Sequence, residues 1–277
     1  MNVFAAMMMI RMNYLREGAK SMRSENNVHN SRSEPELRAQ ALVNLRRLLL
    51  DKKPHIKEYY RIRKLHSKVI SAMARYHEDG KFEQKIDATY VFPHEYKHKK
   101  DNTLELISCN FDFETQEGVH ALYDLLIYKT APNMNCITEE FIQKKRFRKA
   151  EKMDFLHSML TSKLGLFEVS GVDPDEGYVY FKNVFTGDEY KITDVGLSGN
   201  VNFGEYYFYT RIITYHDISF NSGLNLIFAK SDSYIKQHIQ HNKKNHRPEG
   251  EFLRFTQLYN YFSEDPDKVH FITNTLG

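Results

Sequence analysis

The hydrophobic pattern of the chain begins with helices. Ser33 and Glu36 form a capping box around Pro35, in which each side chain can bond to the other residue's exposed backbone N–H. Apolar residues then recur at helical spacing and predict one helix with an apolar stripe. The stripe consists of Leu37, Ala41, Leu45 and Leu48.

A second helix is predicted from about His55 to His77, directly after Pro54. Its apolar residues repeat at intervals of three and four and form a second stripe. The short Asp51–Pro54 connection favours an antiparallel pair, with the second stripe packed against the first helix. The second stripe contains Ile62, Leu65, Val69, Met73 and Tyr76.

The middle of the chain alternates between short strands and helices. Residues 88–92 predict one strand, and the alternation from Ile107 to Phe113 predicts another. Thr115 is placed to begin one helix and Thr138 to begin the next. The helix from Thr138 is expected to continue through the basic residues 144–149 as far as Leu164.

The last third of the chain has the alternation of a β-meander. Five strands are predicted at 167–172, 178–185, 190–195, 206–215 and 224–228, separated by turns rich in Gly, Asp and Asn. Helices follow at 234–239 and 251–262. The sequence therefore predicts an α+β fold with a basic helical N-terminal region and a β-meander or small partly closed barrel, flanked by helices. The predicted regions are 1–34, 35–165 and 166–277.

Composition and charge narrow the class of protein. The 277 residues contain 41% hydrophobic residues but no apolar run long enough to span a bilayer, and two cysteines cannot build a disulfide framework. We therefore expect a cytoplasmic protein that does not insert into membranes. Residues 1–100 hold 21 Lys and Arg against 11 Asp and Glu, a net charge of +10, whereas residues 101–230 hold 12 against 19, a net of −7. Such asymmetry favours a polyanionic partner or docking between the two halves.

Two basic segments carry the leading functional hypothesis. Four cations lie on the flank of the second helix's apolar stripe, and a second group crowds the segment that follows Ile142. Cations that contact phosphates release counterions and give affinity for any nucleic acid. We interpret the chain as a non-enzymatic nucleic-acid-binding or regulatory protein; a protein-interaction component with an acidic partner is one alternative. The predicted contacts are Arg61, Lys64, Lys68, Arg75, Lys144, Lys145, Arg146 and Arg148.

An H-E-x-x-H string offers a different alternative. On a helix, His94 and His98 would share one face and hold zinc, with Glu95 activating the bound water as in a zinc hydrolase. Neighbouring lysines and the predicted strands on both sides argue against this site, so we expect no cofactor, with zinc as the alternative. A second histidine group, His238, His241 and His246, is expected to be a solvated helix end.

Overall fold

Within the described residues, the architecture consists of seven helices and a five-stranded antiparallel sheet beside a small hairpin, which is the α+β class that the sequence predicts. The computed structural model describes residues 34–77, 94–97, 104–107, 111, 115–128, 136–144, 146–199, 202–243 and 251–264. The chain divides into two compact units between Leu49 and Leu50. In chain order, the helices are α1 (Glu34–Leu50), α2 (Pro54–His77), α3 (Gln116–Ile127), α4 (Ile137–Gln143), α5 (Ala150–Leu160), α6 (Ser233–Lys243) and α7 (Glu251–Glu264).

The strands form two sheets. A small hairpin pairs β1 (His94–Lys97) with β2 (Leu104–Ile107). The main sheet has the order β5-β4-β3-β6-β7, with every neighbouring pair antiparallel. Its strands are β3 (Lys163–Asp173), β4 (Tyr178–Asn183), β5 (Glu189–Thr193), β6 (Tyr206–Tyr215) and β7 (Ile218–Ala229). The sheet is open, since β5 and β7 lie at its two ends in the hydrogen-bonding order.

The main sheet is covered on both faces. Phe208 and Ile212 of β6 point into a cluster that also contains Phe167, Phe181 and Phe203. Alternate residues of a strand face opposite sides, so Tyr209, Arg211 and Tyr215 point away from that cluster. On that side Phe155 of α5 packs against Tyr215, with ring centroids 5.1 Å apart, and Phe255 of α7 packs against Tyr209 at 6.3 Å. Helices α2, α3 and α7 also contact β7.

Helix α2 is where the sequence predicts it, and its apolar stripe is buried from Ile62 to Met73. Leu65, Val69 and Met73 are at most 7% exposed, and the helix packs on α4, α5 and β7. That α1 covers this stripe stays a prediction, because residues 1–49 form a separate compact unit. Periodicity identifies an apolar stripe but not the surface that will cover it.

Two predicted helix boundaries are also corrected. Thr115 does cap α3, since its hydroxyl accepts a hydrogen bond from the Gly118 N–H at 3.1 Å. Thr138, however, lies inside α4, where its buried hydroxyl donates to the Ile127 carbonyl at 2.7 Å. The long helix predicted from Thr138 is in fact two helices with residues 144–149 between them, and Leu164 belongs to β3. The predicted strand at 88–92 lies outside the described residues.

The turn between β3 and β4 docks on the start of α2. Gly177 closes the turn with a φ of +75°, a conformation that costs other residues energy because of their Cβ. The Glu176 carboxylate forms an ion pair with Lys53, and the Glu176 carbonyl oxygen lies 2.8 Å from His55 Nε2. The His55 ring stacks on Tyr178 at 4.9 Å. This turn therefore fixes the N-terminal end of α2 against the sheet.

Replacing Gly177 by alanine is expected to lower the free energy of unfolding by about 2 kcal/mol, measured by urea denaturation. A Cβ there would lie 3.0 Å from Ile56 Cδ1, in addition to the cost of the positive φ. Gly187 is the matched control, because its φ is +80° and nothing lies within 4 Å of its Cβ position. Gly187→Ala should cost only about 1 kcal/mol. Equal losses in the two variants would show that the contact with Ile56 relaxes freely.

Candidate functional site

Five cations lie exposed along one face of α2. They follow at intervals of four, three, four and seven residues, which keeps them within about 60° of one another around the helix axis. The buried stripe of the same helix occupies the opposite side. We call this set the basic ridge; it consists of Lys57, Arg61, Lys64, Lys68 and Arg75, all exposed. Sequence analysis missed Lys57, although its spacing of four before Arg61 was a usable signal.

Arg61 differs from the other cations because two carboxylates hold it. Its Nε and Nη2 donate to Glu58 at 2.8 and 2.7 Å, and Nη1 forms an ion pair with Glu151 in the first turn of α5. The hydrogen bonds that Arg61 donates to Glu58 and, to a smaller extent, to Glu151 raise the pKa of Arg61. The hydrogen bond from Arg61 in turn lowers the pKa of Glu58. Arg61 therefore joins α2 to α5, and a phosphate would have to compete with both carboxylates for it.

The second basic segment is the connection between α4 and α5, defined here as residues 144–149. Lys144, Arg146 and Arg148 are exposed in it, while Lys145 lies outside the described residues. Lys144 pairs with Glu140 at 3.8 Å. The connection ends where α5 begins, one turn from the Glu151 that Arg61 contacts. The structure therefore brings the second segment next to the N-terminal half of the basic ridge.

Phe147 anchors this connection. Its ring lies 5.6 Å from that of Phe141 in α4, and Lys152 of α5 lies over it at 4.7 Å. The Arg146 N–H donates to the Phe141 carbonyl at 3.1 Å and turns the chain back on the end of α4. The flanking cations Arg146 and Arg148 are left pointing outward as exposed residues.

Beneath the helices lies a buried ion pair that sequence analysis did not identify. Arg211 of β6 donates from Nε to Asp124 Oδ1 of α3 at 2.8 Å, and the two side chains are 1% and 2% exposed. Ser222 donates to Asp124 Oδ2 at 2.9 Å, and Arg211 Nη1 donates to Ser162 Oγ at 3.3 Å. The sequence signal was a cation inside an otherwise apolar strand and an acid inside an apolar helix, since such charges are buried only when paired.

The register of β6 against β7 orients the Arg211 side chain towards Asp124. Thr210 pairs with Asn225 and Ile212 with Asn221, so residues 222–224 of β7 oppose Arg211 alone. Bulges of this kind redirect a side chain. Burial raises the pKa of Asp124, and the Arg211 cation opposes that rise. Burial would lower the pKa of Arg211, but the Asp124 carboxylate outweighs it and raises the pKa. Because a guanidinium does not lose its proton in proteins, we regard the pair as ionised.

Polar contacts continue from this pair to α2. The Arg211 guanidinium lies 4.9 Å from the centre of the Tyr128 ring, and the Tyr128 hydroxyl is 2.7 Å from His66 Nε2. All of these groups are buried. Their arrangement suits a fixed support for the helix that carries the basic ridge, and their burial keeps them from contacting a dissolved substrate.

A second buried acid links the two end strands of the sheet. Asp194, directly after β5, accepts hydrogen bonds from the Leu197 N–H at 2.8 Å and from Asn221 Nδ2 of β7 at 2.9 Å. Arg63 of α2 donates to the Asn221 carbonyl at 2.8 Å. Burial raises the pKa of Asp194, and its hydrogen bond from the Leu197 N–H opposes the rise. Side chains therefore connect β5 and β7, which are not neighbours in the backbone hydrogen bonding of the sheet.

The H-E-x-x-H string does not form the helix that its zinc hypothesis requires. His94, Glu95 and Lys97 belong to strand β1, in which His94 pairs with Ile107 and Glu95 with Leu106. Four residues of strand span about 13 Å, far more than one turn of helix. His98 lies outside the described residues. Within the described part of the chain, no three His, Cys, Asp or Glu side chains are grouped so that they could hold a metal ion.

The histidine group in α6 was predicted to be a solvated helix end, and this was wrong for His238. That side chain is 7% exposed, whereas His241 is exposed and His246 lies outside the described residues. The His238 ring lies 6.1 Å from the Tyr234 ring and 6.2 Å from the Phe185 ring, and its buried Nε2 has no hydrogen-bond partner within the part of the chain that the structure describes. It borders an open groove of about 600 Å³ between α6 and α7.

The chain belongs to a family of unknown function, DUF7986, whose profile matches residues 53–271. The match covers the main sheet and every described helix except α1. No curated protein and no solved structure is significantly similar to the chain. Among the helices of the described residues, none is both long and apolar enough to cross a membrane.

Proposed function

We propose that this protein binds nucleic acid without catalysing a reaction on it, and that its basic segments contact phosphates. The observation that carries the proposal is the basic ridge, in which five exposed cations share one face of a helix anchored to the sheet. We further propose that this binding is regulatory and takes place in the cytoplasm. The proposed contacts remain Arg61, Lys64, Lys68, Arg75, Lys144, Lys145, Arg146 and Arg148.

The dimensions of the ridge suit a polyanion. From Lys57 to Arg75 the helix rises about 27 Å at 1.5 Å per residue. Consecutive phosphates of one DNA strand advance about 3.4 Å along the helix axis. A ridge of this length can therefore face several phosphates at once, and the second basic segment extends it beside Arg61. Contacts of this kind carry no base code, so we expect affinity without strong sequence preference.

The ion pairs on the basic surface provide a ranking of the proposed phosphate contacts. Arg61 would have to leave Glu58 and Glu151 to bind a phosphate, and Lys144 would have to leave Glu140. Lys64 and Lys68 are exposed in the middle of the ridge. We therefore expect these two lysines, together with Arg75, to contribute more to phosphate binding than Arg61 does.

The test is the salt dependence of binding to an arbitrary DNA duplex and to an unrelated single-stranded RNA. Log affinity should fall linearly with log salt concentration, because bound cations release counterions. The variant Lys64→Gln/Lys68→Gln/Arg75→Gln should bind both probes more weakly and flatten the slope by about two to three units, roughly one for each lost contact. Arg61→Gln should change the slope by much less.

A matched control removes the same charge elsewhere. Lys191, Lys236 and Lys243 are exposed on β5 and α6, so changing all three to Gln lowers the net charge equally without touching the ridge. An equal effect of the control triple would mean that net charge alone attracts the probes. An unchanged slope in the ridge triple would contradict the proposal. Loss of thermal stability in the ridge triple would instead mean that these cations pair with acidic residues of the chain itself, since exposed unpaired charges contribute little to folding.

A further inference from the structure

The open groove between α6 and α7 has no part in the proposed phosphate binding. Every residue that lines it belongs to the compact unit that begins at Leu50. Among these described residues none is an acid, a lysine or an arginine; the lining consists of one tyrosine, two histidines and four amides. The amide side chains are those of Gln237, Gln240, Asn242 and Gln257.

One face of α6 forms most of this lining. Residues three and four apart are neighbours on a helix surface, and the groove side of α6 follows that spacing with Tyr234, Gln237, His238 and His241. The buried residues of the same helix are Ile235, His238 and Ile239. His238 belongs to both sets, so it lies at the border between the buried side of α6 and the groove.

His238 brings an unsatisfied polar atom to this border. The side chain is 7% exposed, and its buried Nε2 has no hydrogen-bond partner among the described residues. Buried polar atoms are almost always hydrogen-bonded in native proteins, because leaving such a bond unmade costs free energy. Burial and, to a smaller extent, the Arg254 cation lower the pKa of His238 to about 4. The imidazole is therefore neutral at pH 7, and a ligand with a hydrogen-bonding group would supply its missing partner.

Tyr234 offers an aromatic ring that its own neighbours hold in position. The Tyr261 ring of α7 stacks on it, with ring centroids 4.0 Å apart. The Tyr261 hydroxyl donates to Asp232 Oδ2 at 2.6 Å, and Asp232 Oδ1 accepts the Ile235 N–H at 3.1 Å at the start of α6. Tyr234 is nevertheless 36% exposed. Aromatic rings fixed in this way at a surface are suited to stacking with planar bases.

We infer that the groove between α6 and α7 binds an adenine base. Tyr234 supplies the stacking surface, and an Asn or Gln amide can bond to both N6 and N7 of adenine. Asn242 already donates to the His238 carbonyl at 2.9 Å, so we assign this contact to the glutamines. His238 Nε2 receives the remaining hydrogen bond. The lack of lysine and arginine in the described lining suits an uncharged base and not a phosphate.

Equilibrium dialysis of the full chain against adenosine tests this inference. Adenosine should bind saturably at one site per chain, and its affinity should not depend on salt because the nucleoside is uncharged. Inosine has nearly the same size but carries an oxygen in place of the N6 amine. It should bind about tenfold more weakly, because the paired amide contact is lost. No saturable binding of adenosine, equal binding of inosine, or displacement of adenosine by ribose alone would overturn the inference.

Variants in the groove identify the site. Tyr234→Leu should weaken adenosine binding about tenfold, whereas Tyr234→Phe should bind as the wild type does, since stacking requires the ring and not the hydroxyl. His238→Leu should also weaken binding, yet it should be no less stable than the wild type towards urea at pH 7, because it removes a buried nitrogen that lacks a partner. Unchanged affinity in both Tyr234→Leu and His238→Leu would show that adenosine binds elsewhere.

The base can come from a free nucleoside or from an unpaired nucleotide in a single strand, and two oligonucleotides of equal length distinguish these sources. If the strand is the source, oligoadenylate should bind about tenfold more tightly than oligouridylate with the same salt slope, because the two carry equal charge. Equal affinities beside saturable adenosine binding would identify the free nucleoside as the ligand. Lys64→Gln/Lys68→Gln/Arg75→Gln should bind adenosine as the wild type does, since adenosine has no phosphate. Failure of phosphate binding and failure of base binding would therefore be seen separately.

Discussion

Replacing Arg211 by methionine is expected to lower the free energy of unfolding by about 3–5 kcal/mol, the largest effect predicted for a single substitution in this chain. Among the described residues, the change leaves the buried Asp124 carboxylate with the Ser222 hydroxyl as its one hydrogen-bond partner. It also removes the contact of the guanidinium with Tyr128 and the hydrogen bond to Ser162. A buried charge without its counterion costs far more than the ion pair itself contributes.

A double variant separates the two effects. Arg211→Met/Asp124→Leu removes both charges and should be more stable than Arg211→Met alone, because the uncompensated carboxylate is gone. Urea denaturation followed by far-ultraviolet circular dichroism measures both, since the chain contains no tryptophan. A loss below about 1 kcal/mol in the single variant would mean that water or another group reaches Asp124 and replaces Arg211.

The same buried pair shows what the sequence could and could not predict. The β-meander was predicted strand by strand, because period-two alternation and glycine-containing turns are local signals. The sequence separation between Asp124 and Arg211 is 87 residues, and only the register of β6 against β7 places them together. Local patterns carry no information about such a pairing, although an isolated charge in an apolar element is a reason to look for its partner.

Errors in the helices have a similar origin. The mostly basic segment 144–149 is compatible with a helix, so the predicted helix ran through it. The chain instead turns back at the end of α4, where the Arg146 N–H donates to the Phe141 carbonyl. Leu164 continues the spacing of α5, but Ser162 bonds to the Met159 carbonyl at 2.6 Å and the next residue begins β3. Tertiary contacts therefore decided boundaries that periodicity left open.

For the candidate site, helical spacing predicted which cations share a face of α2. It did not predict the carboxylates that pair with Arg61. Placing Arg61, Lys64 and Lys68 on one side required only the helical period. The carboxylates that hold Arg61 come partly from α5, which is distant in sequence. The proposed ranking of contacts within the basic ridge therefore rests on ion pairs that the sequence could not predict.

His238 is expected to make the protein lose stability as the pH falls from about 6.5 to about 4. Burial lowers the pKa of His238 to about 4, and the Arg254 and His241 cations add to the effect. The unfolded chain restores an ordinary histidine, with a pKa near 6.5. Because the folded pKa is the lower one, the unfolded state binds the proton first. The contribution is fully present above pH 6.5 and is lost progressively below it.

The expected loss is about 3 kcal/mol over this range, because one pKa unit corresponds to about 1.4 kcal/mol. Its physical cause is the burial of the imidazole, whose Nε2 has no hydrogen-bond partner among the described residues, together with the Arg254 cation that acts on it. Protonation would therefore place a buried cation near the rings of Tyr234 and Phe185, beside Arg254.

Urea denaturation of wild type and His238→Gln across this pH range isolates the effect. The wild type should lose stability more steeply than the variant, by up to about 1.4 kcal/mol per pH unit between the two pKa values. Carboxylates titrate in both proteins and cancel in the difference. His157→Gln is the matched control, because His157 is exposed on α5, is not among the groups that shift the pKa of His238, and its variant should follow the wild-type profile. Parallel profiles for wild type and His238→Gln would mean that α6 opens on acidification and lets water reach His238, so that its proton binds without cost to the fold.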